Sequence, residues 1–86
     1  MYLHLGQDTV VCDSDVLGIF DLDTSTVSKA TRDYLAAAEK KKRVVNVSFE
    51  LPKSFVVCSE KRGGVKVYIS PISSSTLKKR MKNLSF

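Results

Sequence analysis

The distribution of apolar residues at the beginning of the chain predicts three β-strands. Segments 2–5 and 9–12 are rich in β-forming residues, and the connection between them begins with Gly6, which tolerates the positive φ of a tight turn. A third apolar run covers 16–20 and is interrupted only by Gly18. Such a run indicates either that both faces of the strand are covered or that Gly18 marks a close backbone approach.

A helical period follows these strands. Apolar residues recur at i, i+3, i+7, i+8 and i+11, the spacing of one helical face, at Val27, Ala30, Tyr34, Leu35 and Ala38. The polar cluster before them is suited to capping a helix start and comprises Asp21, Asp23, Thr24 and Ser25. Four consecutive cations, 40–43, come where this helix is expected to end. We interpret them as partners of the negative end of the helix dipole, with an anionic ligand as the alternative.

From Val44 the period changes to two, which predicts a strand that ends at Leu51 and Pro52. Segments 54–59 and 65–70 form a further pair of β runs, and the Gly-Gly pair between them fits a hairpin loop. The run 54–59 carries apolar side chains on both sides. We therefore expect a partner subunit to cover the outer face of the sheet.

The segment that follows predicts a short C-terminal helix. Pro71 ends the preceding strand, and the serines and threonine after it can accept hydrogen bonds from the free amides of a helix start. Leu77, Met81 and Leu84 then recur along one helical face. The basic residues between them are Lys78, Lys79, Arg80 and Lys82. The basic face of such a helix either contacts nucleic acid or is simply solvated.

These elements give the order βββαβββα in a single α+β domain that covers residues 1–86, with antiparallel hairpins, one central helix and a short basic C-terminal helix. A domain of this size buries roughly 60 to 65% of the surface that its unfolded chain exposes, so its core is thin. Small chains often gain stability by association, and we therefore expect a homo-oligomer.

The charge of the chain is unevenly distributed. The net charge is +5, but residues 1–23 contain five acids and no lysine or arginine, whereas residues 24–86 contain 14 bases and four acids. This asymmetry allows two interpretations. Subunits can meet head to tail, or the basic part can face a polyanion.

The chain lacks the residue combinations that catalysis or metal binding require. His4 is the only histidine, and the sequence offers it neither a nucleophile nor a carboxylate. Cys12 and Cys58 lie far apart in apolar runs, and we interpret them as small buried hydrophobes rather than as a disulfide or zinc ligands. We expect no enzymatic activity, no cofactor, no metal and no small-molecule substrate.

The sequence also bears on localisation. It shows no secretory signal, and no apolar run approaches the roughly 20 residues of a membrane span. We therefore expect a cytoplasmic protein without a membrane partner.

Binding to double-stranded DNA is the remaining chemistry that the composition supports. Lysines predominate among the exposed cations, which favours contacts with phosphates over readout of bases. A basic, merely solvated surface is the alternative. The candidate nucleic-acid-binding residues are Lys53, Lys61, Arg62, Lys78, Lys79, Arg80 and Lys82.

Three segments are distinctive as sequence: MYLHLG at 1–6, the strand 16–20 and YISPISSSTLKKR at 68–80. Together they resemble the RemB branch of the DUF370 family of extracellular matrix regulatory proteins, and the likeness extends over the whole chain. The resemblance implies a bacterial cytoplasmic regulator connected with biofilm-matrix genes and without catalytic activity. It also implies kinship with the RemA branch, which binds DNA and assembles into rings.

The chain departs from the RemA branch at two places. That branch carries an arginine-rich segment where this chain has ELPKS at 50–54, in which only Lys53 is positive. Asp15 stands where that branch has an arginine. The resemblance therefore does not carry over the DNA-binding surface of that branch, and DNA contact would rest on Lys53, Lys61, Arg62 and the basic helix.

Two hypotheses follow from the sequence. The first is a small non-enzymatic transcriptional regulator that associates with DNA as a homo-oligomer, in which linked weak contacts add up to useful avidity. The second is a self-assembling interaction or scaffold protein that does not bind DNA.

Overall fold

The computed structural model describes residues 1–22 and 28–84, with side chains up to Met81. It confirms a small α+β domain with the order βββαβββα. The elements are β1 (Tyr2–Gly6), β2 (Thr9–Cys12), a 3₁₀ turn (Asp13–Asp15), β3 (Val16–Asp21), α1 (Lys29–Lys40), β4 (Val44–Asn46), β5 (Ser54–Ser59), β6 (Val65–Ser70) and α2 (Ser74–Leu84).

Strands β1 and β2 form a two-stranded antiparallel hairpin, and the other four strands form a sheet in the order β3-β5-β6-β4. The predicted hairpin of β5 and β6 is confirmed, with Phe55 opposite Ile69 and Val57 opposite Val67. Strand β4 instead pairs with β6 in parallel, which the expectation of antiparallel hairpins missed. Strand β4 ends at the same end of the sheet at which β5 begins, and β6 lies between these two strands.

The strand predicted from Val44 to Leu51 is shorter than expected. It ends at Asn46, because its neighbour β6 ends at Ser70 and is followed by Pro71, which has no N–H to continue the ladder. Residues 47–53 form a loop instead, in which the Ser48 hydroxyl accepts a hydrogen bond from the Glu50 amide at 3.0 Å.

Strand β5 is buried on both faces, and each face belongs to a separate apolar core. Val56 and Cys58 pack with residues of the β1–β2 hairpin and with Leu77 of α2. Phe55 and Val57 point the other way, toward α1. The apolar outer face that was expected to need a partner subunit is therefore covered by the chain's own helix.

Neither of the two alternatives for β3 is confirmed. A Cβ at Gly18 would lie 2.6 Å from the Phe20 ring, so the space at this glycine is taken by a side chain of the same strand and not by an approaching backbone. A strand covered on both faces is wrong as well, because Leu17 is 63% and Phe20 42% exposed. The Phe20 ring stacks on Phe55 at a centroid distance of 4.9 Å.

Both predicted helices occur, and the predicted capping residues can be compared with the residue that precedes each helix. Helix α1 follows Ser28, which is its N-cap residue. The prediction that Asp21 belongs to the capping cluster of this helix is wrong, because Asp21 is the last residue of β3. The other proposed capping residues, 23–25, and Val27 lie outside the described residues. In α2 the Ser73 hydroxyl accepts a hydrogen bond from the Thr76 amide at 3.3 Å, so serine caps this helix as predicted. Leu77 is fully buried and anchors α2 on the hairpin core.

Candidate nucleic-acid interface

The loop between β5 and β6 presents two exposed cations, Lys61 and Arg62, at one end of the sheet. The Gly63 amide donates to the Glu60 carbonyl at 3.0 Å, and the Glu60 amide donates to the Gly64 carbonyl at 3.1 Å. Gly63 and Gly64 both have positive φ, which this tight loop requires. The two side chains are thus carried on a closed turn rather than on a free segment.

The end of α1 lies beside this loop. The Arg43 guanidinium donates to the Val65 carbonyl at 3.0 Å, and Lys41 and Arg43 line one surface cavity together with Gly64. The cations that follow α1 therefore serve two roles, because they lie at the helix C-terminus and also enlarge the basic surface of the loop. We call this surface the tip patch; it consists of Lys41, Lys42, Arg43, Lys61 and Arg62.

Sequence reasoning placed Lys41, Lys42 and Arg43 at the helix end, with an anionic ligand as the alternative, but it missed their juxtaposition with Lys61 and Arg62. The pairing of β4 with β6 produces it, because the Val67 amide donates to the Arg43 carbonyl at 2.8 Å. A parallel pairing between strands so far apart in sequence leaves no short-range pattern. No local signal could have revealed it.

Acidic groups border the tip patch. Asp15, Ser59 and Glu60 line a surface hollow together with Lys61 and Arg62. Glu60 forms an ion pair with Lys66 at 3.6 Å, whereas the Ser59 hydroxyl bonds only the backbone carbonyl of Asp15, at 3.3 Å. The carboxylate of Asp15 consequently lowers the positive potential next to Lys61 and Arg62.

The same acids act on the thiol beneath them. Cys58 is buried, and burial, followed by the charges of Asp15 and Glu60, raises its pKa to about 11. The thiol is therefore protonated at neutral pH and is a poor nucleophile. Cys12, at the end of β2, is half-buried, and both cysteines are free.

A second basic surface lies on α2 and is called the helix patch; it consists of Lys78, Lys79 and Arg80. All three residues are exposed. The Arg80 guanidinium donates to the His4 carbonyl at 3.1 Å, which fixes the helix on β1. The side chain of Lys82, the fourth cation proposed for this helix, lies outside the described side chains.

Lys53 lies apart from both patches. Its amide donates to the Ser70 carbonyl at 2.9 Å, so it sits at the end of the sheet where β5 begins. The six residues of β5 separate it from the tip patch by roughly 20 Å, at about 3.3 Å per residue. The candidate residues thus divide into three groups on one protomer.

Most of these cations have no acidic partner among the described residues. Within residues 1–22 and 28–84, ion pairs engage Lys29 with Asp33 at 2.9 Å and Lys66 with Glu60. In that same part of the chain no ion pair engages Lys41, Lys42, Lys53, Lys61, Arg62, Lys78 or Lys79. Exposed cations without internal partners are available to external anions.

Other chemistry finds little support in the described part of the chain. No group of three or more His, Cys, Asp or Glu side chains is placed to hold a metal there. His4 is exposed, and its Nε2 lies 2.6 Å from the Gln7 carbonyl oxygen at the hairpin turn. Neither described helix has the length and apolar character needed to cross a bilayer.

Two comparisons with known proteins bear on this surface. The family model described as RemA-like, "Extracellular matrix regulatory protein A-like", matches residues 2–81. The chain is also 42% identical over 80 residues to "Extracellular matrix regulatory protein B" of Bacillus subtilis (strain 168), a match that covers 93% of this chain and 89% of that protein.

Proposed function

The chain belongs to the RemA-like family of extracellular matrix regulatory proteins, and from this premise we propose that it is a non-enzymatic, cytoplasmic regulator of matrix genes that associates with double-stranded DNA as a homo-oligomer. The proposal extends to this chain the regulatory role that the name of its relative states. DNA is the polyanion that a transcriptional regulator would meet.

One observation carries the proposal: the exposed cations of the tip patch and the helix patch, which form no ion pair within residues 1–22 and 28–84. Lysine contacts with phosphates release counterions from DNA and give affinity without sequence readout. A single patch of three to five cations contacts few phosphates. Several copies joined together multiply such contacts, which is the reason to include the oligomer in the proposal.

A second candidate function is a self-assembling scaffold that does not bind DNA. Asp15 favours this candidate, because its carboxylate shares the hollow of Lys61 and Arg62. Exposed apolar side chains also favour the scaffold. Phe49 and Leu51 are exposed to solvent, and exposed apolar surface commonly marks a site of contact with another protein.

Fluorescence anisotropy of a labelled mixed-sequence duplex, titrated with the protein between roughly 50 and 200 mM salt, separates the two candidates. Three double reversals are compared with wild type. Lys61→Glu with Arg62→Glu alters the tip patch, and Lys78→Glu with Lys79→Glu alters the helix patch. Lys29→Glu with Arg32→Glu, on the outer face of α1, is the control.

Each double reversal lowers the net charge from +5 to +1, so a general effect of charge is the same in all three. We expect the tip and helix variants to lose most of the affinity and to show a shallower salt dependence, while the control retains more of both. Equal losses of DNA affinity in all three variants would contradict the assignment of DNA binding to the tip patch and the helix patch. Absence of binding by wild type at the lowest salt would overturn the regulator and leave the scaffold.

A further inference from the structure

The β1–β2 hairpin has an outer face of rings and apolar groups. Alternation along β1 buries Leu3 and Leu5 in the core and turns Tyr2 and His4 outward, and Val10 of β2 lies opposite His4. Tyr2 is 72% and Val10 52% exposed. The solvated face of an antiparallel hairpin is ordinarily polar, so this composition indicates a contact surface. We call Tyr2, His4 and Val10 the hairpin face.

The two rings of this face form a platform. Tyr2 and His4 are two positions apart on one strand, which places their side chains on the same side at a spacing of roughly 7 Å. The His4 Nε2 donates to the Gln7 carbonyl at 2.6 Å, so this ring is held at the hairpin turn. A ring that is already fixed loses little freedom when a flat group stacks on it. Exposed rings on a sheet surface are the usual stacking sites for unpaired nucleobases.

The helix patch borders the hairpin face. The Arg80 guanidinium donates at 3.1 Å to the backbone carbonyl of His4, the residue that carries the second ring. Lys78 and Lys79 precede Arg80 in the same helix, are exposed, and form no ion pair within residues 1–22 and 28–84. A phosphate chain that followed the helix patch would therefore keep its bases within reach of the rings.

Few acids oppose a polyanion on this side of the molecule. Segment 1–12 contains one acid, Asp8, which lies in the turn between β1 and β2. Asp13, the next acid along the chain, forms an ion pair with the Met1 amino group at 3.5 Å. Helix α2 contains no acid. Rings beside cations, with few acids near them, are the combination that single-stranded nucleic acids require.

We propose that the hairpin face and the helix patch together bind single-stranded nucleic acid. Unpaired bases stack on Tyr2 and His4, Val10 adds apolar contact beside them, and the phosphates lie along the helix patch. Every base has a flat aromatic face, so such a site tolerates different sequences. In a duplex these faces are covered by the neighbouring base pairs. The activity is therefore distinct from the duplex association of the proposed function and does not depend on it.

The test is fluorescence anisotropy of three labelled strands of equal length, each titrated with the purified full chain. An oligothymidylate and an oligouridylate of about 12 nucleotides carry bases on DNA and RNA backbones, and an abasic DNA strand carries the phosphates alone. Wild type should bind the base-carrying strands more tightly than the abasic strand, by roughly five- to 150-fold, the range for one stacked base. The tighter of the two base-carrying strands identifies the preferred sugar.

Substitutions then separate the rings from the charges. Tyr2→Leu and His4→Leu keep apolar bulk but remove a ring, so each should reduce the preference for bases over the abasic strand, whereas Tyr2→Phe should retain it. Tyr34→Leu, which removes a ring of α1 that is 42% exposed, is the matched control. Lys78→Gln with Lys79→Gln should weaken the binding of all three strands. All of these positions are exposed, and circular dichroism would verify that each variant folds.

Three results would overturn the inference. They are equal affinity of wild type for the base-carrying and abasic strands, an equal loss of preference in Tyr34→Leu, and absence of binding to any strand. If strands do not bind and Tyr2→Leu instead changes the molar mass in light scattering, the hairpin face is occupied by a second copy. Tyr2→Leu should bind a duplex as wild type does, so failure of duplex binding contradicts the proposed function and leaves this result unaffected.

Discussion

The Ser70 hydroxyl donates a 2.6 Å hydrogen bond to the carbonyl of Leu5 and so joins the end of the four-stranded sheet to the β1–β2 hairpin. It also accepts from the Ile72 amide at 3.1 Å, and both Ser70 and Leu5 are completely buried. Removal of the hydroxyl leaves the buried Leu5 carbonyl and the half-buried Ile72 amide without this partner. Ser70→Ala should therefore lower the free energy of unfolding by about 1 to 3 kcal/mol in urea titrations.

The control for this prediction is Ser75→Ala. Ser75 is exposed and its hydroxyl contacts only that of Ser73, at 3.2 Å, so its loss should change the free energy of unfolding by less than about 0.5 kcal/mol. Equal effects of the two substitutions would show that the bond between Ser70 and Leu5 contributes nothing particular.

A second prediction concerns the contact between Gly64 and Arg43. A Cβ at Gly64 would overlap the Arg43 guanidinium, whereas a Cβ at Gly63 would meet no atom within 4 Å, and both glycines have positive φ. Gly63→Ala should cost roughly 1 kcal/mol for the backbone alone. Gly64→Ala should cost more in urea titrations, and the excess should disappear in an Arg43→Ala background. An equal cost at both glycines would contradict the overlap.

The sequence predicted the elements whose signals are local. The hairpin over Gly63 and Gly64, the serine cap of α2 and the buried run of β5 all follow from residues within a few positions of one another. The parallel pairing of β4 with β6 depends on contacts between distant segments, so no local period encodes it. The predicted strand is too long for a related reason. Apolar and polar residues continue to alternate after Asn46, but no neighbouring strand remains there with which the chain could pair.

The candidate site shows the same limit. The residue types were predictable, but their grouping was not, because Lys53 and Lys61 lie at opposite ends of β5. Arg43 joins Lys61 and Arg62 only through the register of β4 on β6. Asp15 stood out in the sequence by comparison with the family, and the structure adds that it borders the hollow of Lys61 and Arg62.

Asp15→Asn provides the third prediction. The substitution removes a negative charge beside Lys61 and Arg62, and the hydrogen bond from Ser59 to the Asp15 backbone carbonyl remains. If the tip patch contacts DNA, affinity at low salt should rise by about two- to fivefold, the range expected for one surface charge interaction. Anisotropy titrations would measure the change. Asp8→Asn, an exposed acid in the β1–β2 turn, is the control, and an equal gain there would indicate a general effect of net charge.

The buried thiol of Cys58 leads to the last prediction, a loss of stability in alkaline solution. The ordinary pKa of 9.0 is raised to about 11 in the folded protein, chiefly by burial and then by the charges of Asp15 and Glu60. Between these values the unfolded chain releases the proton while the folded chain keeps it. The full stability is therefore present below pH 9 and is lost as the pH rises toward 11, by about 2 to 3 kcal/mol. Urea titrations at intervals from pH 8 to 11 would measure this loss.

Cys58→Ala separates the contribution of the thiol from that of Tyr68, whose pKa burial also raises. The variant should be less stable at pH 8, because it loses a buried side chain. Its free energy of unfolding should nevertheless fall less steeply than that of wild type between pH 9 and 11. An unchanged slope would assign the alkaline loss to Tyr68 or to other groups. Alkylation provides an independent measure, since the half-buried Cys12 should react at pH 8 while Cys58 reacts only on unfolding.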